Sequence, residues 1–327
     1  MKLCTFEVRT QIGKIHRLGA VLREGIVDLN FACARCLSER GEVQPQRVAN
    51  AVLPDNMLEY LQGGAGTSRY ARETLEFLTG KLSPPPEGVN GETLLYAKTD
   101  VRLLAPIPNP ASLRDFYAFE NHVKKGFEKR GEPMPQEWYE IPVYYKSGHH
   151  NIIGHEQDVH WPSFTERFDY ELELAAIIGR QGRNIKKDDA RQYIAGFTIM
   201  NDFSARDIQH KEMKVRLGPA KGKDWCTSLG PWLVTPDEIA DPYNLKMAAR
   251  VNGELWSTGS SQSMHWKFEQ MIEFLSQDDE IRPGDVLGSG TVGGGCGLEL
   301  DRWIKSGDVM ELAVEGIGVL RNRVVKP

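Results

Sequence analysis

The sequence predicts an α+β chain that is mostly β, with a small α/β region (residues 1–100) leading a larger segment (residues 101–327). Three observations predict it. Before residue 100, three short strand-like runs are followed by three helix-like runs. Beyond it, apolar runs of strand length outnumber helical patterns. The run Phe168 to Gly179 switches from alternation to continuous apolar character, as a strand entering a core does. Many strands with few helices in one long segment argue for a barrel-like or folded-over β architecture.

In the leading region, Leu3 to Val8, His16 to Leu22 and Gly25 to Leu29 read as strands separated by turns. Phe31 to Glu39, Asn56 to Leu61 and Ser68 to Leu78 read as helices, with Asp55 as an N-cap and Gly80 as a stop. Ser83 to Gly88 contains three consecutive prolines and reads as a linker; Leu104 to Pro110 is a second proline-punctuated stretch. The boundary between the two regions falls between them. The strands expected after it are Leu113 to Tyr117, Val143 to Lys146, Asp169 to Ile178, Ile194 to Asn201, Trp232 to Thr235, Lys246 to Val251, Val286 to Gly288 and Val309 to Val314. Helical pattern is confined to Asn121 to Lys129, Lys187 to Arg191, Ala205 to Lys211 and Phe268 to Leu275.

Composition excludes several classes. The chain has 327 residues and a formal net charge of -5, and no Lys/Arg run is interleaved with aromatics, which argues against nucleic acid as a partner. No apolar stretch reaches the length of a membrane span, and the N-terminus lacks the apolar region of a secretory signal. Five cysteines without such a signal point to a reducing, cytoplasmic setting. Cys33 and Cys36 have a C-x-x-C spacing but no second pair, so they read as two cysteines on one early helix rather than a zinc or redox site.

The chemistry-bearing residues sit at strand ends. In a strand, Glu171 and Glu173 share one face, so like charges stand side by side. They are either a solvated edge or half of a cation site. Asp202 follows the strand Gly196 to Met200, as helix cap or ligand. Arg206 and Gln209, three apart, share a helix face that is open to an anionic ligand or to solvent. With Asp115, these carboxylates make an all-oxygen set suited to a hard divalent cation: Mg²⁺, Ca²⁺ or Mn²⁺. Gly218 to Lys223 fails as a phosphate loop, because Asp224 stands where Ser or Thr is required. Gly288-Ser289-Gly290-Thr291-Val292-Gly293 matches G-x-G-x-x-G but has no βαβ context. It reads as a flexible or tight turn that lets backbone approach a ligand.

Taken together, Asp115-Phe116-Tyr117 with His122, Asp169 to Glu173, Met200 to Gln209, and Leu217-Gly218-Pro219 leading to Gly222-Lys223 resemble the fumarylacetoacetate hydrolase family over roughly residues 115–324. The resemblance implies a mixed β-roll core, a homodimer and a divalent cation, Mg²⁺ first. It implies Asp115, Glu171, Glu173 and Asp202 as metal ligands, with Thr227 and Lys223 supporting them. Tyr117, Tyr145, Arg206 and Gln209 take substrate-binding positions. His122 takes the place of a general base, with Glu311 as its orienting carboxylate. Three departures bear on the substrate. Cys226 replaces a glycine, Gly131 with Arg130 beside it stands where fumarylacetoacetases carry an Arg, and Lys125 stands where acylpyruvases carry a Glu. The implied activity, as in aromatic catabolism, is C–C hydrolysis of a 1,3-dicarbonyl acid by His-activated water, with a chelated enolate as leaving group. Lys223, Arg206 and Gln209 would stabilise the oxyanion. Decarboxylation, isomerisation or hydration of a 2-oxo acid on the same site is the alternative. A non-catalytic relative that binds a metal or a small acid is the second.

Overall fold

The computed structural model describes residues 1–11, 13–81 and 84–326. A large mixed sheet runs in the order Leu95–Ala97, Gly25–Asp28, Gly13–Leu22, Lys2–Thr10, Thr227–Val234, Ile194–Asp202, Leu172–Ile178, Asp285–Gly288, Ser112–Phe116 and Tyr144–Ser147. A five-stranded sheet joins Glu254–Ser260, Lys246–Val251, Val309–Val314, Gly318–Val325 and Asp158–His160. The chain is α+β and strand-rich, and neither sheet closes into a barrel. The leading region enters the large sheet directly, since Lys2 and Leu3 pair with Val234 and Leu233.

The strand Leu172–Ile178 shows why the sequence loses its alternation there. Leu172, Leu174, Ala176 and Ile178 face one apolar core, which reaches the five-stranded sheet. Ala175 and Ile177 face a second core, formed with the leading region's helices. Both faces of the strand are buried, so both sets of alternate positions are apolar. Glu173 belongs to the second face. It is there by function of position rather than by exposure, at 0% accessible. The run expected as one strand from Asp169 is broken: Phe168–Asp169 pairs with Ser204–Ala205 in a separate ribbon, and Glu171 falls in the break.

In the leading region, helices cover Leu29–Glu39, Pro45–Val52, Met57–Gln62 and Gly64–Thr79. Pro45–Val52 escapes the sequence reading because it is only eight residues long. The cap expected at Asp55 is one residue on. Asn56 accepts the Glu59 N–H at 2.9 Å, while Asp55 takes Arg17 Nη1 at 2.5 Å. Asp28 caps Leu29–Glu39 through the Phe31 N–H at 3.1 Å. Cys33 and Cys36 lie on that helix, buried and free. Of the proline-rich linker, Ser83 lies outside the described residues; Pro84 to Gly88 form no helix. The strands Glu254–Ser260 and Gly318–Val325 were also not evident, because Ser, Arg and Asn interrupt their apolar positions. Among the described residues, no helix is long and apolar enough to cross a membrane.

Arg17 is the polar node of this region. It is 7% exposed and holds Asp28 through Nε at 2.7 Å and Nη2 at 3.0 Å. Burial pushes the Asp28 carboxyl up, and Arg17 opposes that shift. Arg17→Ala leaves a buried carboxylate without its cation. It should destabilise the chain by about 3–5 kcal/mol, whereas Asp55→Asn at the exposed end should cost at most about 1 kcal/mol. Urea unfolding of both variants checks this; equal costs would remove Arg17 as the node.

Candidate active site

Strand register assembles the carboxylates. Ala175 pairs with Gly288, Gly288 with Asp115, and Asp115 with Tyr145. One row on, Glu173 pairs with Met200 and Met200 with Leu229. At the end of the sheet Asp202 pairs with Thr227. Residues across from each other in a sheet share a face, so Asp115, Glu173 and Asp202 converge and Glu171 joins them from the strand break. Oxygen atoms of all four lie within 4.8 Å of one another, and all four side chains are buried.

Gly288 makes the convergence possible. A Cβ there would overlap Asp115 Oδ1 and lie 2.8 Å from Met200 Cε. The other glycines of the G-x-G-x-x-G run follow the same segment. Gly290, at φ +77°, would collide with the Phe116 carbonyl, and Gly293 would come 2.9 Å from Asn121 Cβ. The motif is the close packing of one backbone along residues 115–121, not a phosphate cradle. Its Gly290 N–H also donates to Asp115 Oδ1 at 3.1 Å.

Crowded buried carboxylates resist ionisation. Burial first, then neighbouring carboxylates, push Asp115 and Glu173 well above the usual range. Burial pushes Asp202 up to about 6 against the pull of Lys223. Glu171 goes the other way. Burial raises it, but Arg206 and Lys223 outweigh that and hold it ionised. Lys223 Nζ donates to Glu171 and Asp202. Arg206 Nη2 donates to Glu171 at 2.7 Å, Nε to Asp169 at 2.7 Å, and Nη1 to Gln209 at 2.9 Å. Tyr145 donates to Asp202 at 2.5 Å. Lys223, Arg206 and Tyr145 thus spend donors on holding carboxylates, a role that the expected oxyanion and substrate contacts do not describe.

The donor set fits a hard divalent cation. Glu173 Oε2, Asp202 Oδ1 and Thr227 Oγ1 are buried without a hydrogen-bond partner. Buried polar atoms are rarely left so. Two cations, Arg206 and Lys223, pair with Asp169, Glu171 and Asp202, and Asp115 and Glu173 add two further carboxyl groups that a metal ion would deprotonate.

His122 lies at the start of the helix Glu120–Arg130, 7% exposed, with the Tyr117 ring edge-on at 5.4 Å. Its carboxylate is not Glu311. In the strand Val309–Val314, Met310, Leu312 and Val314 are buried and Glu311 lies on the other face, 3.6 Å from Arg321. Glu299 stands 2.9 Å from His122 Nδ1, bent off the direction of the ring N–H. Burial raises the Glu299 carboxyl, but His122 and the Gly294 N–H outweigh it, and the net shift is downward. Leu298-Glu299-Leu300 and Met310-Glu311-Leu312 are the same local pattern, so spacing alone could not separate them. Sequence reasoning also left Asp169 without a role. It is 0% exposed and accepts from Arg206, from the Gly297 N–H at 2.7 Å and from the Leu298 N–H at 3.0 Å. It ties the carboxylate cluster to the turn that carries Glu299.

Comparison with known proteins agrees with this architecture. The family described as fumarylacetoacetate (FAA) hydrolase C-terminal matches residues 112–325. The chain is 33% identical over 275 residues to a mitochondrial oxaloacetate tautomerase of Homo sapiens, covering 84% of this chain and 81% of that one. It is 32% identical over 276 residues to oxaloacetate tautomerase YisK of Bacillus subtilis, covering 83% and 87%. Its fold is that of a fumarylacetoacetate hydrolase from Exiguobacterium antarcticum, at TM-score 0.70 and 24% identity over 99% of this chain and 100% of the other. With its sheet, its carboxylate cluster and these matches in agreement, the chain belongs to the fumarylacetoacetate hydrolase family of enzymes.

Proposed function

We propose that this protein is a divalent-metal-dependent tautomerase of a 2-oxo dicarboxylic acid of the oxaloacetate type, with Asp115, Glu171, Glu173 and Asp202 holding the metal. The observation that carries the reading is the buried His122–Glu299 pair beside a buried cluster of four carboxylates. The names of the human and Bacillus subtilis relatives support the substrate class. A cation such as Mg²⁺ or Mn²⁺ would supply a Lewis acid for the 2-oxo and carboxylate oxygens of the substrate.

The rest is work for side chains. His122 has Nδ1 turned to Glu299, which leaves Nε2 as the base for a proton on the carbon beside the carbonyl. Glu299 balances the imidazolium that forms. The same proton is then returned to the oxygen, so keto and enol interconvert without consuming water. Lys223 and Arg206 keep Glu171 ionised throughout. Tyr117, edge-on to His122, and Gln209, which accepts from Arg206, are the side chains this reading assigns to substrate contact. C–C hydrolysis of an acylpyruvate, which the sequence resemblance implies, is the second reading. It uses the same pair on a water molecule.

Following enol absorbance of oxaloacetate with Mg²⁺ or Mn²⁺, and product formation from an acylpyruvate panel, separates the two. His122→Asn and Glu299→Gln should each slow turnover by roughly 10²–10⁴-fold, and Glu311→Gln should not. Equal effects of Glu299→Gln and Glu311→Gln would refute the pairing. Cleavage of an acylpyruvate without tautomerisation would make the second reading the right one.

Metal binding should depend on pH with a definite sign. A carboxyl raised on folding holds its proton longer than in the unfolded chain. Asp202 therefore weakens the metal-free fold as pH rises from its ordinary value to about 6, and Asp115 and Glu173 continue the trend above it. A cation must displace those protons. Mg²⁺ affinity should rise between about pH 5 and 7 with net proton release, read by calorimetry in buffers of different ionisation enthalpy. Pure pH independence would show that the carboxylates are already ionised. Gly288→Ala, which pushes on Asp115, should weaken Mg²⁺ binding in the same measurement; unchanged binding would show that the cluster tolerates the added methyl.

A further inference from the structure

Beside the oxygen cluster lies a second group of different chemistry. Cys296 and Glu299 are three residues apart, on the turn that opens the short helix Gly297–Leu300, and His122 reaches them from Glu120–Arg130. One donor atom from each lies within 4.8 Å of the others, and all three side chains are buried. Cys296 Sγ is 3.4 Å from Glu299 Oε2, and His122 Nδ1 is 2.9 Å from the same oxygen. His122 Nδ1, on a side chain more than nine-tenths buried, makes no aligned hydrogen bond. A thiol, an imidazole and a carboxylate form a donor set for zinc-like ions, unlike the all-oxygen cluster.

We propose that His122, Cys296 and Glu299 form a second metal site, for Zn²⁺ and similar thiol-binding cations, whose occupation switches the acid–base pair off. Tetrahedral zinc with bonds of ~2.0–2.3 Å sets its donors roughly 3.3–3.6 Å apart. The 3.4 Å separation already suits it, and the 2.9 Å one needs to open by a few tenths of an ångström. Binding releases the Cys296 thiol proton and shifts the Nδ1 proton to Nε2, so the imidazole stays neutral and Nε2 is no longer free as a base. Thiolate and carboxylate then neutralise the ion's two charges, so a neutral unit is buried. Zinc takes the place of the proton that Nδ1 holds toward Glu299, and the pair can no longer carry an imidazolium.

The test is a Co²⁺ titration of the full chain saturated with Mg²⁺. A thiolate-to-cobalt charge-transfer band should appear in the near ultraviolet and be abolished by an equivalent of Zn²⁺. Cys296→Ser and His122→Asn should each lose the band while still binding Mg²⁺, which also reports that they are folded. Cys226→Ser should keep it; Cys226 is the other buried thiol near the cluster, beside Asp202. No band in the unmodified chain, or a band lost with Cys226→Ser and kept in Cys296→Ser, overturns the site. In turnover assays with excess Mg²⁺, Cys296→Ser should need ~10–100-fold more Zn²⁺ for half-inhibition; unchanged inhibition overturns the switch. The cobalt band does not depend on the tautomerase reading, so the two can fail separately.

Discussion

The site depends on one buried cation, Arg206, set between Asp169 and Glu171 at 2.7 Å each. Breaking a buried pair by removing one partner typically costs 3–5 kcal/mol, because a charge is left unsolvated. Here the consequence is also geometric. Asp169 accepts the N–H groups of Gly297 and Leu298, which begin the turn that carries Glu299. Glu171 belongs to the carboxylate cluster. A single guanidinium therefore positions the metal-type ligands and the partner of His122 together. Its planar fork suits that task, as a lysine's point charge would not.

The second constraint is space. Four carboxylates can share a volume with oxygens under 5 Å apart only if the sheet beneath them withholds side chains at the right places. Gly288 does so in the row of Asp115, and Gly290 and Gly293 let the following loop lie against residues 116–121. The parallel pairing of Asp285–Gly288 with Ser112–Phe116 fixes which glycine meets which residue. That pairing is long-range, and no local pattern announces it. The glycine spacing was visible in the sequence, but what it packs against was not.

The same division runs through the rest of the chain. Strands such as Leu172–Ile178 and Lys246–Val251 were legible because burial leaves a periodic apolar signature. Asp115, Glu171, Glu173 and Asp202 could be singled out because acidic residues at the mouth of apolar strands are costly without a partner. Whether they met one another depends on register, which periodicity does not supply. Glu299 and Glu311 mark the limit: each sits between apolar residues, and only the fold sends one toward His122 and the other toward Arg321. Arg206 and Lys223 were read as cations for a ligand, whereas in the fold the protein's own carboxylates claim them first. The Asp55 and Asn56 exchange is a smaller case, decided by Arg17 drawing the aspartate away.

Tautomerisation asks less of this architecture than hydrolysis does. Both begin with a polarised 2-oxo group and a base. Hydrolysis also needs a water held between the base and the carbonyl, and groups that stabilise the oxyanion once hydroxide adds. The imidazole of His122 is buried, with Tyr117 edge-on, and Cys296 bonded to its carboxylate partner. Lys223 and Arg206, the cations best suited to an oxyanion, already donate to Glu171, Asp202 and Asp169. A proton moved from carbon to oxygen through His122 needs neither an ordered water nor a freed cation. The donors that hold the carboxylates in place are for that reason an argument about the reaction as well as about the fold.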